Sequence, residues 1–372
     1  MKRSTLICLL FLAYCTFGYR LGVTSDGISK IYLAGNTLIR TTPGTGIRFY
    51  DLSRPASPQT LGSIAITQNS DVAVKGHYMY ADNGLDLLVY DIADLAHPVM
   101  VDSIHYAFQS VGLSYMIGET MVGERSTGSS GCHACSQETP VAAPSTGPMV
   151  SGGAGSTNQA GSMARFAVVG DYLYCIDSYS LRVFEIMDPA RPRYKNQIEI
   201  GWQIETLFPY QDKLFIGGSD GMYIYSLAHA DSPVQLSEFH HARRCDPVVA
   251  DGKYAYVTLR STGACGGNDN QLDILDVSDV ANPQLLNVVP MTGPYGLATR
   301  SGLVFVCDGS SGVTIVDATN PQKPAKVGGL AGITAHDIIL GDNVMIVTAE
   351  SGFFLYDLSD LRNPRPCGTL RF

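Results

Sequence analysis

The chain has 372 residues, a formal net charge of −9, 45% hydrophobic residues and 16% charged residues. This composition excludes a disordered chain, because enough apolar surface is present to build a large core. An acidic chain without a run of lysine or arginine is also a poor binder of nucleic acid, since basic side chains are what bind phosphate backbones.

The N-terminus has the pattern of an export signal. Lys2 and Arg3 precede an apolar run over residues 6–13, which is too short to cross a bilayer, since a spanning helix needs about 20 residues. We predict a signal peptide over residues 1–18, or a lipoprotein signal that is cleaved before Cys15 and leaves that cysteine lipidated. The protein is then exported to the periplasm, the cell surface or the outer membrane, and contacts the membrane only through such an anchor.

From residue 28 onward the chain repeats one unit about every 41 residues. Each copy has a short turn before an apolar or aromatic pair, then an apolar run that ends in an acid and a corner containing proline. Turns such as Gly-Asn and Gly-Asp join hairpin strands, because glycine and asparagine tolerate a positive φ. The side chain of the acid can accept hydrogen bonds from the corner that follows it. The acid position is occupied by Asp51, Asp91, Glu185, Ser226, Asp276, Asp317 and Asp357.

Each unit has room for four short strands. The apolar run before the acid does not alternate with polar residues, so both faces of that strand are expected to be covered. Four-stranded sheets that repeat at this period are typical of a β-propeller. We therefore predict an all-β fold, a single seven-bladed β-propeller over residues 28–372, with eight blades as the alternative. No amphipathic helical stretch separates the strands, which argues against an α/β fold.

Two insertions interrupt the repeat, around residues 105–163 and 260–271. The first contains a strand pair over 111–125, which is either an additional hairpin or the remnant of an eighth blade. It continues into a stretch rich in Gly, Ser, Thr and Pro over 126–162, which we predict to be flexible. Because propeller strands alternate in direction, both insertions are predicted to emerge on the face opposite the short turns. Loops on a rigid scaffold commonly carry binding sites, so this elaborated face is the predicted location of function.

The apolar runs "LLVYD" (87–91), "LDILD" (272–276) and "GVTIVD" (312–317) resemble the LVIVD repeat of exported bacterial proteins. Longer phrases such as "GSMARFAVVGDYLY" (161–174) and "CDPVVADGKYAYVTLRS" (245–261) extend the resemblance over essentially the whole mature chain. The resemblance implies a propeller, an exported and often lipid-anchored location, and no catalytic motif.

The cysteines differ in their expected roles. Cys245 and Cys265 both approach the elaborated face, and we predict a disulfide between them that pins the second insertion. For Cys132 and Cys135, a local disulfide, free thiols and a metal-binding pair remain alternatives. Two further cysteines end second strands in separate blades and are predicted to be buried and unpaired: Cys175 and Cys307.

Residues that enter the innermost strands from the elaborated face should surround the central channel. Carboxylates and imidazoles that converge there can bind a ligand or a cation, or act as acid and base. Alternatively, they bond neighbouring backbone ends or channel water, as buried polar groups must. The ligand-binding candidates are Asp71, Arg165, Glu205, Asp246, Tyr295, His336 and Asp337, with His240 and His241 just upstream.

Three functions remain open. We favour a non-catalytic, monomeric binding platform at the cell envelope, without a cofactor, which holds a protein, peptide or glycan against an apolar or aromatic patch of the elaborated face. The alternative is a metal-assisted hydrolase or lactonase that uses Glu205, Asp246, His336 and Asp337. The third is a purely architectural lipoprotein. The binding platform is favoured because a metal centre usually shows recurring acids or histidines, whereas these channel residues differ from blade to blade.

Overall fold

The computed structural model describes residues 29–108, 158–201, 203–240, 247–261 and 270–371. These ranges contain strands and turns but no helix, and hence no helix able to span a membrane. Seven antiparallel sheets lie around a central channel, and the first strand of each sheet contacts those of its two neighbours, including the last sheet against the first. The predicted seven-bladed β-propeller is therefore confirmed.

Each blade consists of four strands that are consecutive in sequence. The first two blades and one additional strand are β1 (Ile31–Ala34), β2 (Thr37–Thr42), β3 (Gly46–Asp51) and β4 (Gln59–Ile64), then β5 (Val72–Lys75), β6 (Tyr78–Asn83), β7 (Asp86–Asp91) and β8 (Val99–Ile104), then β9 (Asn158–Ala160).

Blades 3 to 5 are β10 (Phe166–Val169), β11 (Tyr172–Ile176), β12 (Ser180–Glu185) and β13 (Arg193–Glu199), then β14 (Ile204–Tyr210), β15 (Lys213–Gly218), β16 (Gly221–Ser226) and β17 (Val234–His240), then β18 (Val248–Asp251), β19 (Tyr254–Leu259), β20 (Gln271–Asp276) and β21 (Gln284–Pro290). Blades 6 and 7 are β22 (Leu297–Arg300), β23 (Leu303–Cys307), β24 (Val313–Asp317) and β25 (Ala325–Leu330), then β26 (Ala335–Leu340), β27 (Val344–Ala349), β28 (Gly352–Asp357) and β29 (Arg365–Arg371).

The acid that ends a third strand caps the corner after it. Asp51 accepts a hydrogen bond from the backbone N–H of Ser53 at 2.8 Å, and Asp276 accepts one from Ser278 at the same distance. The hydrogen bonds from Ser53 lower the pKa of Asp51. All seven pairings between third and fourth strands also contain a bulge, which adds twist at the outer edge of the blade. The repeated acid is thus a structural residue of the propeller.

The ring closes by side-chain packing between blades 7 and 1. Ile31 and Tyr50 of blade 1 belong to one buried apolar cluster with Ile339 and Phe353 of blade 7. The rings of Tyr50 and Phe353 meet edge to face, with centroids 5.5 Å apart. Within the described ranges no strand is shared by these two blades, and the contact between them is apolar.

Glycine begins or immediately precedes the third strand in four blades, at Gly46, Gly221, Gly312 and Gly352. A Cβ at Gly312 would lie 1.8 Å from the carbonyl oxygen of Leu330 on the fourth strand, and its φ is +82°. Close approach of the fourth strand therefore requires glycine in this part of the repeat.

We expect Gly312→Ala to lower the free energy of unfolding by about 3 kcal/mol, because it combines a strained φ with a clash against backbone. The matched control is Gly76→Ala, where φ is +62° but no atom lies within 4 Å of the added Cβ. The control substitution should lower the free energy of unfolding by about 1 kcal/mol, because only the backbone conformation is strained. Urea unfolding of both variants measures the difference, and equal losses would refute the role given to the close contact.

The C-terminal end of the long insertion forms a paired strand, whereas the sequence predicted a flexible stretch there. β9 pairs antiparallel with β1 on the channel side, with Ala160 opposite Tyr32 and Asn158 opposite Ala34, so blade 1 has five strands. β1 runs from the elaborated face to the face of the short turns, which we call the turn face. The chain therefore leaves β8 at the elaborated face but re-enters the described structure beside the turn face. Residues 158–162 belong to the channel wall and not to a flexible stretch.

Candidate ligand pocket at the channel mouth

A pocket opens at the elaborated face, where the segment after β9 reaches the channel mouth. Blades 1 to 6 contribute to its wall, which combines three basic side chains, one carboxylate, hydroxyl groups and apolar groups. The lining residues are Lys30, Ser70, Met163, Arg165, Ser178, Ile204, Glu205, Thr206, Pro247, Arg260, Pro294 and Tyr295.

The residues predicted from the sequence fall into four groups. Arg165, Glu205 and Tyr295 line the pocket together. Three others are buried close to the channel rather than exposed in the pocket: Asp71, His336 and Asp337. His240 ends β17, is exposed and lies 2.9 Å from a carboxylate oxygen of Glu238, whose hydrogen bond raises the pKa of the imidazole. Asp246 and His241 lie outside the described residues.

Two basic residues of the pocket were missed by the sequence reasoning. Lys30 precedes β1 as Asp71 precedes β5 and Arg165 precedes β10, so the rule that found the other residues, applied to blade 1, would have found it. Arg260 follows the second strand of blade 5, beside the second insertion, and no spacing rule points to it.

Asp71 joins the first three blades. Its Oδ1 accepts the N–H of Val72 at 2.8 Å, and its Oδ2 accepts the N–H groups of Arg165 and Phe166. Lys30 of blade 1 places its Nζ 3.8 Å from the same Oδ2. Burial lowers the pKa of Lys30 and raises the pKa of Asp71, and the long ion pair only partly opposes both shifts. The hydrogen bonds of Asp71 indicate a structural role, which is the alternative that the sequence left open.

Asp337 holds the segment after β9 in place. Its Oδ1 accepts the N–H of Ile338 at 2.9 Å and the hydroxyl of Ser162 at 3.3 Å, while the Ser162 Oγ accepts the N–H of Leu297 at 2.8 Å. A Cβ at Gly161 would lie 2.0 Å from Oδ2, so only glycine leaves room for this carboxyl group. Oδ2 is buried and has no hydrogen-bond partner in the part of the chain that the structure describes. Burial raises the pKa of Asp337 to about 7.

An aromatic group forms the blade 6 side of the pocket. The guanidinium carbon of Arg260 lies 3.9 Å from the ring centroid of Tyr295, within the range of a cation–π contact. The ring of His336 lies 4.9 Å from the ring of Tyr295. The hydroxyl of Thr258 donates to the carbonyl oxygen of Tyr295 at 2.7 Å, which anchors its backbone. The structure therefore holds Arg260 and Tyr295 together at the pocket wall.

The residues suggested for a metal-assisted enzyme do not form a metal-binding group in the described ranges. Among all the residues of the described ranges, no three His, Cys, Asp or Glu side chains are placed to hold one ion. Glu205, His336 and Asp337 are described, whereas Asp246 is not.

Two of the cysteine predictions can be compared with the structure. Cys175 and Cys307 are buried and unpaired, as predicted, and burial raises the pKa of both thiols. The remaining candidates, for a disulfide or for lipidation, lie outside the described residues: Cys15, Cys132, Cys135, Cys245 and Cys265.

Among the described residues, large exposed apolar side chains do not gather on the elaborated face, and most of the two insertions predicted to emerge there lies outside those residues. Val99, Met100 and Val101 begin the outer strand β8 next to the turn face and are 58%, 55% and 44% exposed. Other large exposed apolar residues also lie mainly on outer strands. Beside the elaborated face the structure shows Tyr106, which follows β8 and is 62% exposed. Within the described ranges, the polar and apolar groups of the elaborated face meet in the pocket.

The LVIVD repeat family matches residues 68–105 and 242–289. The first match covers the strands of blade 2, and the second covers those of blade 5 almost completely. The chain contains LVIVD repeats, and its fold is a seven-bladed β-propeller. One LVIVD repeat thus corresponds to one blade, as the period of the sequence predicted. No curated protein matches this LVIVD-repeat chain.

Solved structures share the architecture of this LVIVD-repeat propeller at low sequence identity. A functionally unknown protein from Desulfotomaculum acetoxidans is 12% identical, with 92% of this chain and 95% of that chain covered and a TM-score of 0.57. A protein from Lactobacillus plantarum is 13% identical, with 81% and 83% covered and a TM-score of 0.55. The computationally designed Ika8 protein is 10% identical, with 90% and 85% covered and a TM-score of 0.54. Similarity at this level concerns the fold alone.

Proposed function

We propose that this protein is a non-catalytic binding platform of the cell envelope, which holds a peptide, glycan or protein at its elaborated face, around the channel-mouth pocket. The observation that carries the proposal is that some polar groups face the pocket while others are buried in the scaffold. Arg165, Arg260 and Tyr295 line the pocket with the carboxylate of Glu205, whereas two other candidate carboxylates, Asp71 and Asp337, are buried in hydrogen bonds to the scaffold.

The scaffold supports binding because the pocket is built on several blades whose relative positions are held by hydrogen bonds. Asp71 joins β5 to β10, and Ser162 and Asp337 join the segment after β9 to blades 6 and 7. A ligand in the pocket meets side chains that are already positioned, which lowers the entropy cost of binding. Export, and a lipid anchor at Cys15, remain part of the proposal on the N-terminal pattern alone.

Binding of labelled glycan and peptide collections to the purified mature protein tests the proposal. We expect at least one class of probe to bind, and Arg165→Ala to weaken that binding by about tenfold or more, as for loss of a charged hydrogen bond. The matched control is Lys253→Ala, an exposed basic residue in a short turn of the turn face. Equal binding by both variants would contradict the proposed location. Turnover of a probe that Asp337→Asn abolishes would favour the enzyme instead.

A further inference from the structure

The charge of the pocket is opposite to that of the chain. The chain as a whole has a net charge of −9, yet among the described residues the pocket lining contains Lys30, Arg165 and Arg260 against one carboxylate, that of Glu205. The buried carboxylate of Asp71 offsets part of this charge, since its Oδ2 lies 3.8 Å from the Nζ of Lys30. A basic pocket in an acidic protein attracts an anionic group locally, where the charges of the outer surface are screened.

Arg165 has hydrogen-bonding capacity that the described residues do not use. Its backbone N–H donates to Asp71, which fixes the start of β10, but its side-chain Nε is buried and has no hydrogen-bond partner among the residues that the structure describes. A buried donor without an acceptor costs about 1–3 kcal/mol, and more when the group is charged. A carboxylate matches the planar arrangement of guanidinium donors and can accept two hydrogen bonds from it.

Lys30 and Arg260 extend the basic surface. Lys30 is close enough to Arg165 for the guanidinium to add to the lowering of its pKa, although burial is the larger cause. An anion in the pocket would favour the charged form of this amine and relieve its repulsion from Arg165. Arg260 is positioned by its contact with the ring of Tyr295. The three cations therefore come from different blades but line one space.

The rest of the lining favours an organic anion over a small inorganic one. Met163, Ile204, Pro247 and Pro294 contribute apolar surface to the same pocket as the basic groups. Ile204, Pro247 and Pro294 are themselves buried by the scaffold and so form a fixed apolar wall. A phosphate ion would leave this wall in contact with water, whereas an acid with a short apolar part would cover it.

On these grounds we infer that the channel-mouth pocket binds a small organic acid, with its carboxylate held by Arg165, Arg260 and Lys30 and its apolar part against the apolar wall. The inference rests on the proposed binding function and names the chemical class of the ligand. A free acid and the acidic end group of a longer molecule present the same chemistry to the pocket.

The test uses benzoate, the isosteric neutral benzamide and inorganic phosphate as probes of the full mature chain, by calorimetry or ligand-observed NMR. We expect benzoate to bind about tenfold or more tightly than benzamide, and more tightly than phosphate. Arg165→Met should weaken benzoate binding by about tenfold or more. Arg193→Met is the matched control, because Arg193 is exposed on the outer strand β13, and it should leave benzoate binding unchanged. Thermal unfolding of each variant verifies that it is folded.

Each contrary result has its own meaning. If benzamide binds as well as benzoate and Arg165→Met weakens both, the pocket binds ligands but the organic-acid inference is wrong. Tighter binding of phosphate than of benzoate overturns the inference too, as does an equal effect of Arg165→Met and Arg193→Met on benzoate. If no probe binds, the inference fails, while the proposed binding function is judged separately by the glycan and peptide collections. Stronger binding of acid-ended than of amide-ended peptides in those collections would identify the longer molecule as the source.

Discussion

Replacing Arg182 by methionine should lower the free energy of unfolding by about 3–5 kcal/mol, the cost of leaving one partner of a buried ion pair alone. Arg182 is 1% exposed, and its Nε and Nη2 both lie 3.2 Å from Oδ2 of Asp177. The other oxygen of Asp177 accepts the N–H groups of Tyr179 and Ser180, so the carboxylate cannot turn toward water. Chemical denaturation at pH 7 measures the loss.

The matched control is Lys75→Met. Lys75 lies 2.6 Å from Asp171; their side chains are 22% and 59% exposed, so this pair is partly solvated and its loss should cost about 1 kcal/mol. The double variant Arg182→Met/Asp177→Asn should recover part of the loss, because it removes the unpaired charge. Equal destabilisation by Arg182→Met and Lys75→Met would show that the buried pair does not carry this energy.

Asp337→Asn should remove a pH dependence of stability between about pH 4 and pH 7. Burial raises the pKa of Asp337 to about 7 in the folded protein, from an ordinary value of 3.8. In this window the folded state holds the proton and the unfolded state does not, so stability falls as the pH rises. At about 1.4 kcal/mol for each pK unit, the contribution is of the order of 4 kcal/mol, fully lost above the folded pKa.

Unfolding free energies of the wild type and Asp337→Asn, measured at several pH values from 4 to 8, test this expectation. The wild type should lose stability relative to the variant as the pH rises. Asp360→Asn is the control: this exposed corner residue has its pKa lowered by hydrogen bonds from Asn363 and Arg362, so its stabilising effect is lost only as the pH falls. Parallel profiles for the wild type and Asp337→Asn would contradict the buried, protonated state.

The pocket shows how much of the site could be predicted from the positions of residues at the start of the innermost strands. Strand alternation correctly placed Arg165, Glu205 and Tyr295 around one space, because each of them enters the innermost strand of its blade. The same counting could not separate them from Asp71 and Asp337, which occupy related positions but are buried. Whether such a side chain faces solvent or neighbouring N–H groups depends on contacts between blades, and these are distant in sequence.

Strand β9 is a feature that the local sequence pattern could not predict. Asn158–Ala160 has no apolar alternation, and it follows a long polar stretch, so its local pattern indicates a loop. It becomes a strand because β1 offers an unpaired edge toward the channel and because Ser162 finds Asp337 and Leu297 there. No property of the segment itself predicts this pairing.

The seven blades and the capped corners could be predicted from the sequence, since each of them depends on contacts within one repeat of about 41 residues. The position of β9 in the channel, the approach of Lys30 and Arg260 to Arg165, and the burial of Asp71 and Asp337 became known only from the folded ring. Closing the ring brings residues of different blades together, and the burial, charge and hydrogen bonding of this site arise from that closure.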